Sequence, residues 1–166
     1  MDKENIEQQL IEGDIAPDFT SLDSDGHSFK LSDFRTKKSV VVYFYPKDFT
    51  PGCTTEAMEF TKDYNKMKDA NIEIIGVSPD TEESHKKFRQ KLNIPYLLSA
   101  DTQNEISKKY GVYGYKSFMG KEYMGINRST FLIDINGKII RIFPKVKPAG
   151  HSLEVINSFR QEDRSK

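Results

Sequence analysis

The chemistry in this chain begins at its single cysteine. Cys53 closes the run Tyr45-Pro46-Lys47-Asp48-Phe49-Thr50-Pro51-Gly52-Cys53, where a buried strand hands over to a helix. The first turn of a helix presents unpaired backbone N–H groups and the positive end of the helix dipole. Those surroundings favour the thiolate over the thiol, and the thiolate is the nucleophile. Thr50, three residues earlier, can turn its hydroxyl toward the same point, where it could accept from or donate to a sulfur or a bound oxygen. Pro46 and Pro51 stiffen the approach and remove backbone donors that would otherwise need partners. Cys53 also lies four residues before Ala57 and seven before Phe60, on the stripe that faces inward. A lone cysteine on such a stripe is often only a small inert hydrophobe. The flanking residues, not the cysteine itself, favour reactivity.

A single cysteine excludes an intrachain disulfide and a CxxC redox pair, and it suits a reducing, cytoplasmic setting. His27, His85 and His151 are far apart and lack metal-ligand spacing, so no metal and no organic cofactor are expected. The chain balances 25 basic against 25 acidic side chains, which leaves no electrostatic footprint for nucleic acid. No apolar run approaches the ~20 residues needed to cross a bilayer, and Met1–Gly13 lacks the apolar centre of a secretory signal.

Several elements must position Cys53. Phe19–Leu22 and Ser28–Leu31 flank Asp25-Gly26, so an N-terminal β-hairpin is expected. Ser39–Tyr45 is continuously apolar, as a strand buried on both faces is. The helix that follows is predicted from about Thr50-Pro51 to Asp69, its apolar stripe running through Ala57, Phe60, Tyr64 and Met67. Ile72–Ser78 then completes a right-handed βαβ unit. Further elements are a helix over Glu82–Leu92, a strand at Tyr96–Leu98 and a helix over Asn104–Tyr110. After a long loop, strands Ser129–Ile135 and Lys138–Phe143 flank Asn136-Gly137, and an amphipathic helix covers about Ser152–Phe159. The expected architecture is α/β, a mixed central β-sheet flanked by helices, with connectivity matching the thioredoxin-like fold. The expected organisation is a flexible segment over residues 1–12, one domain over 13–161 and a tail over 162–166.

Pro46-x-x-x-Thr50-x-x-Cys53 resembles the active-site signature of the peroxiredoxins. The fuller string Tyr43-Phe-Tyr-Pro-Lys-Asp-Phe-Thr-Pro-Gly-Cys-Thr-Thr-Glu56 resembles the subgroup called peroxiredoxin Q or bacterioferritin comigratory protein. Tyr110–Lys121 and Gly125–Asp134 are similar to the same subgroup, so the resemblance spans roughly residues 13 to 160. It implies a thiol-dependent peroxidase that reduces hydrogen peroxide and organic hydroperoxides. Cys53 would attack the terminal peroxide oxygen and become a sulfenic acid. Thr50 would hold the peroxide, and Pro46 would shield the sulfur. Arg128 would stabilise the thiolate and the charge on the leaving oxygen, a task suited to a permanently charged fork of donors. Glu56 matches a recurrent acid of the subgroup and would orient Arg128. The subgroup's habit also implies a monomer, with a dimer through Phe49 or Ser117–Met119 as the alternative.

One departure matters. Many members of the subgroup carry a resolving cysteine five residues after the first; here that position is Met58, native or engineered, about 140° around the helix from Cys53. The sulfenic acid then cannot be captured internally. A one-cysteine cycle is expected, with an external thiol such as thioredoxin, glutaredoxin or glutathione as the reducing partner. The rivals are weaker. A disulfide oxidoreductase needs a second cysteine. A non-enzymatic thioredoxin-fold binding or holdase module would have no use for Pro46, Thr50 and Arg128 together. Gly114–Lys121 is one residue too long for a phosphate-binding loop, and the Asn127-Arg128-Ser129 tripeptide reads as a chance glycosylation match.

Overall fold

The computed structural model describes residues 9–164; the first eight residues of the expected flexible segment, and the last two of the expected tail, lie outside it. Strands β1 (Thr20–Leu22) and β2 (Ser28–Lys30) form the N-terminal hairpin, followed by a short 3-10 turn over Leu31–Phe34. The central sheet contains β3 (Ser39–Phe44), β4 (Ile72–Ser78), β5 (Leu97–Ala100), β8 (Ser129–Ile133) and β9 (Ile139–Phe143) in the order β5-β4-β3-β8-β9. β3, β4 and β5 run parallel, and β8 and β9 add antiparallel. Helices α1 (Pro51–Asp69), α2 (Glu82–Leu92), α3 (Glu105–Lys109) and α4 (His151–Arg164) complete the α/β architecture expected from the sequence.

The unbroken apolar run of β3 follows from cover on both faces. Val41, Tyr43 and Tyr45 point into a core shared with Ala57 and Phe60 of α1, Phe88 of α2 and Val155 of α4. Val40, Val42 and Phe44 point the other way, against Phe19, Leu31, Ile106 and Tyr110. Tyr43 stacks on Phe60 with centroids 4.8 Å apart, and its hydroxyl meets that of Tyr96 at 2.7 Å. Gly76 on β4 makes room for that ring: a Cβ there would lie 2.9 Å from Tyr43 and from Leu98 Cδ2.

Two stretches differ from the sequence expectation. Residues 111–128, expected as a long loop, contain a hairpin of β6 (Tyr113–Phe118) and β7 (Lys121–Ile126). Its turn residues, Met119 (φ 51°) and Gly120 (φ 78°), both adopt left-handed backbone. That matches a two-residue hairpin turn, in which methionine replaces the usual asparagine or aspartate and hides the signal. The last helix is also longer than its apolar stripe, reaching Arg164 rather than Phe159.

Candidate functional site

Helix α1 starts at Pro51, with Thr50 as its N-cap in extended backbone (φ −75°, ψ 153°). Proline at the first helical position loses nothing, because that N–H would have no helical partner. The first backbone N–H to reach a helical carbonyl is that of Thr54, 2.9 Å from Thr50 O. The N–H groups of Gly52 and Cys53 therefore belong to the unpaired set at the helix mouth. A capping hydroxyl usually takes one of these donors. Thr50 instead turns back and donates its Oγ1–H to Lys47 O at 2.7 Å. The turn closes on itself, and the helix mouth stays available.

Cys53 sits in that mouth, 1% exposed and unpaired. Arg128, between β7 and β8, reaches across to it: Nη2 lies 3.2 Å from Sγ, and Nη1 donates to Glu56 Oε1 at 2.8 Å. The guanidinium bridges two residues three apart on one face of α1, as the i, i+3 spacing permits. Its approach is close. A Cβ at Gly52 would lie 3.1 Å from Arg128 Nη2 and 3.4 Å from Pro148 Cγ, so the guanidinium rests against the helix backbone. The carbonyl of Arg128 accepts from Val146 N–H at 2.9 Å, which ties the β7–β8 connection to the loop after β9.

Charge at the site is shaped by burial. Glu56 is 1% exposed, and burial raises its carboxyl to about 7, with Arg128 opposing that rise. Its Oε2 is buried without a partner. For Arg128, burial works against the charge, but Glu56 and Cys53 outweigh it and hold the guanidinium above its ordinary pKa. Lys116 of β6, which the sequence did not single out, extends this cationic surface. Its Nζ donates to Ile126 O at 2.8 Å, and burial together with the Arg128 charge lowers its pKa.

The structure thus gathers Cys53, Arg128 and Glu56 into contact. Thr50 and Pro46 lie on the turn leading into the same helix, half-buried. Met58 points away from the core, 55% exposed, as its helical position requires. Among the described residues no helix is long and apolar enough to cross a membrane.

Comparison with known proteins shows the family and the fold. Residues 12–142 match the AhpC/TSA family. Peroxiredoxin Bcp of Bacillus subtilis is 45% identical over 148 residues, covering 89% of this chain and 94% of that protein. Peroxiredoxin Bcp of Escherichia coli K12 is 40% identical over 152 residues, covering 92% and 97%. Among solved structures, a cysteine-to-serine variant of Xanthomonas campestris peroxiredoxin Q aligns with a TM-score of 0.82 at 34% identity, covering 87% of this chain and 91% of that one. A cysteine-to-serine variant of Xylella fastidiosa PrxQ aligns with a TM-score of 0.87 at 31% identity, covering 94% and 99%. The chain belongs to the AhpC/TSA family of peroxiredoxins and is a thiol-dependent peroxidase with a single cysteine of its own.

Proposed function

We propose that Cys53, Arg128, Thr50 and Pro46 carry the peroxidase reaction, with Glu56 as a positioning residue. The observation that carries this reading is the 3.2 Å approach of Arg128 Nη2 to Sγ at an open helix N-terminus. The sulfur attacks as a thiolate on the terminal oxygen of a hydroperoxide R–O–O–H. An S–O bond forms and the O–O bond breaks, and its electron pair leaves on the R–O oxygen. Cys53 becomes a sulfenic acid. Arg128 cannot supply a proton, so the leaving oxygen takes one from the peroxide hydroxyl or from water. The guanidinium donors stabilise the charge that develops there. Because the Thr50 hydroxyl donates to Lys47 O, its lone pairs remain to accept the peroxide O–H. The Pro46 ring limits access to the sulfur.

Recycling is assigned to an external thiol. Two thiols reduce the sulfenic acid, giving a disulfide, water and free Cys53. Thioredoxin, glutaredoxin and glutathione are the candidate reductants. Hydrogen peroxide and organic hydroperoxides are the proposed substrates; a related Xanthomonas campestris bacterioferritin comigratory protein is described as having alkyl peroxide reduction activity. The proposed domain spans residues 13–161, acting as a cytoplasmic monomer. Exposed Phe49 and the Phe118-Met119 tip are the faces through which a dimer would form. The test is a peroxide-consumption assay with each reductant supplied separately. Cys53→Ser is expected to abolish turnover with all of them, and residual turnover would rule out the mechanism.

A further inference from the structure

The turn that carries Pro46 and Thr50 is fastened to the protein through one buried side chain, that of Asp48. Its carboxylate is sealed from solvent, with the side chain 1% exposed. Oδ1 accepts from the Tyr45 hydroxyl at 2.7 Å; Oδ2 accepts from Ser84 Oγ at 2.9 Å and lies 2.7 Å from His85 Nδ1. The Asp48 N–H donates to Asp80 Oδ2 at 2.8 Å, and that oxygen also accepts from Ser78 Oγ at 2.6 Å. His85 is fully buried, and its other nitrogen, Nε2, meets Ser99 O at 3.0 Å. A backbone carbonyl can only accept, so Nε2 carries hydrogen, and the Nδ1···Oδ2 contact shares one further proton. The network therefore joins the turn to the end of β4, the first turn of α2 and the middle of β5.

The turn needs such an anchor. Phe49, between Asp48 and Thr50, holds φ at 68°, left-handed backbone that a bulky residue rarely adopts. Its ring is 47% exposed and rests against Phe88 with centroids 5.1 Å apart. Strain of this kind persists only when the surroundings over-determine the backbone. A buried polar pair of this kind is a poor way to gain stability, since apolar residues of similar volume do as well or better. It does fix geometry, because its hydrogen bonds cannot slide.

We propose that the buried Asp48–His85 pair is a positioning device for peroxide reduction, holding the strained Pro46–Thr50 turn so that Thr50 and Pro46 face Cys53. The inference rests on the roles assigned above to Thr50 and Pro46. The Cys53–Arg128 contact does not pass through this network, so the two reactions of the sulfur should separate. Peroxide reduction requires the hydroxyl that the turn presents; alkylation of Cys53 by iodoacetamide requires the nucleophile, its cation and access, but not that hydroxyl.

The test uses the full chain carrying Asp48→Asn, His85→Gln, Thr50→Val, or Thr50→Val with His85→Gln. Val155→Ala, a buried truncation on α4, is the control for general destabilisation, with its melting temperature measured beside the others. The rate constant for Cys53 oxidation by hydrogen peroxide is read by quenching and mass spectrometry. Asp48→Asn and His85→Gln are expected to slow that step by about 10-fold to 100-fold, as a small misplacement of a reacting constellation does. Alkylation should stay within a factor of about 3, since it follows thiolate character and access. The double variant should be little slower than Thr50→Val alone, because coupled residues are non-additive. Equal slowing of both reactions, a loss no greater than in Val155→Ala, or additive effects would each overturn the proposal. Normal peroxide reduction in Thr50→Val would instead remove the role of Thr50, and the positioning device with it. Should Asp48→Asn fail to fold, Ser84→Ala deletes a single donor and is expected to give a smaller slowing of the peroxide step alone.

Discussion

Arg128 serves two partners at once, and its side chain cannot be replaced by charge alone. Its Nη1 holds Glu56 while its Nη2 meets the sulfur. Lysine carries a compact point charge without that fork. Arg128→Ala is expected to lower the peroxide rate constant by about 100-fold or more, the scale of removing a donor aimed at developing charge. Arg128→Lys should recover little of it, and single-turnover kinetics will show both. Glu56 makes a different prediction, about stability and pH. Its folded-state carboxyl is raised from 4.5 to about 7 because burial penalises the charged form. The folded protein therefore binds an extra proton between those values, which the unfolded chain has released. The associated stability is fully present below about 4.5 and is lost as pH rises through about 7. The shift corresponds to a loss on the order of 3 kcal/mol. Denaturant titrations from pH 4.5 to 8 should show this decline in the wild type and a flatter profile in Glu56→Gln. The opposite slope would mean that Arg128 outweighs burial.

At the scale of elements, the sheet and helices show which parts of a sequence speak for themselves. β3 was legible because six apolar residues in a row, Val40 to Tyr45, have only one comfortable place, a strand covered on both faces. The start of α1 was legible from Pro51 and the stripe through Phe60 and Met67. Cys53, Thr50, Pro46 and Arg128 were marked by their likeness to a family signature, and the same likeness offered Glu56 as a partner for Arg128. β6 and β7 were not legible. Their exposed Tyr115, Phe118 and Met124 break the alternation that a half-buried strand shows, and Met119 occupies a turn position that asparagine would have announced. The anchoring of Asp48 by His85 was hidden for another reason. Thirty-seven residues separate them, and nothing local in the sequence distinguishes a buried histidine from a surface one. Gly76 gives a test at this scale. Alanine there would force its Cβ to within 2.9 Å of Tyr43 and Leu98 side chains. Overpacking of this kind costs about 1–3 kcal/mol, and urea denaturation of Gly76→Ala should show a loss of that size.

For the whole molecule, a single buried thiol sets the redox behaviour. Treated with one equivalent of peroxide and no thiol, the protein should gain about 16 Da, the mass of one oxygen, at Cys53. Further peroxide should drive it to the sulfinic form, a gain of about 32 Da that ordinary thiols do not reverse. Intact mass spectrometry and non-reducing gels will check this. A dominant disulfide-linked dimer would instead mean that the sulfur emerges from its 1% exposure to meet a second copy.

Met58 has a mechanical consequence for helix α1. Two positions five apart on an intact helix have Cα atoms roughly 8 to 9 Å from each other. A disulfide spans at most ~7 Å, so a relative with sulfurs at both positions must unwind its first turn each time it closes that bond. With methionine at that position the helix has no reason to melt between one turnover and the next. Its opening residues are not forced apart by bond closure, and the incoming reductant has to reach a sulfur that is 1% exposed.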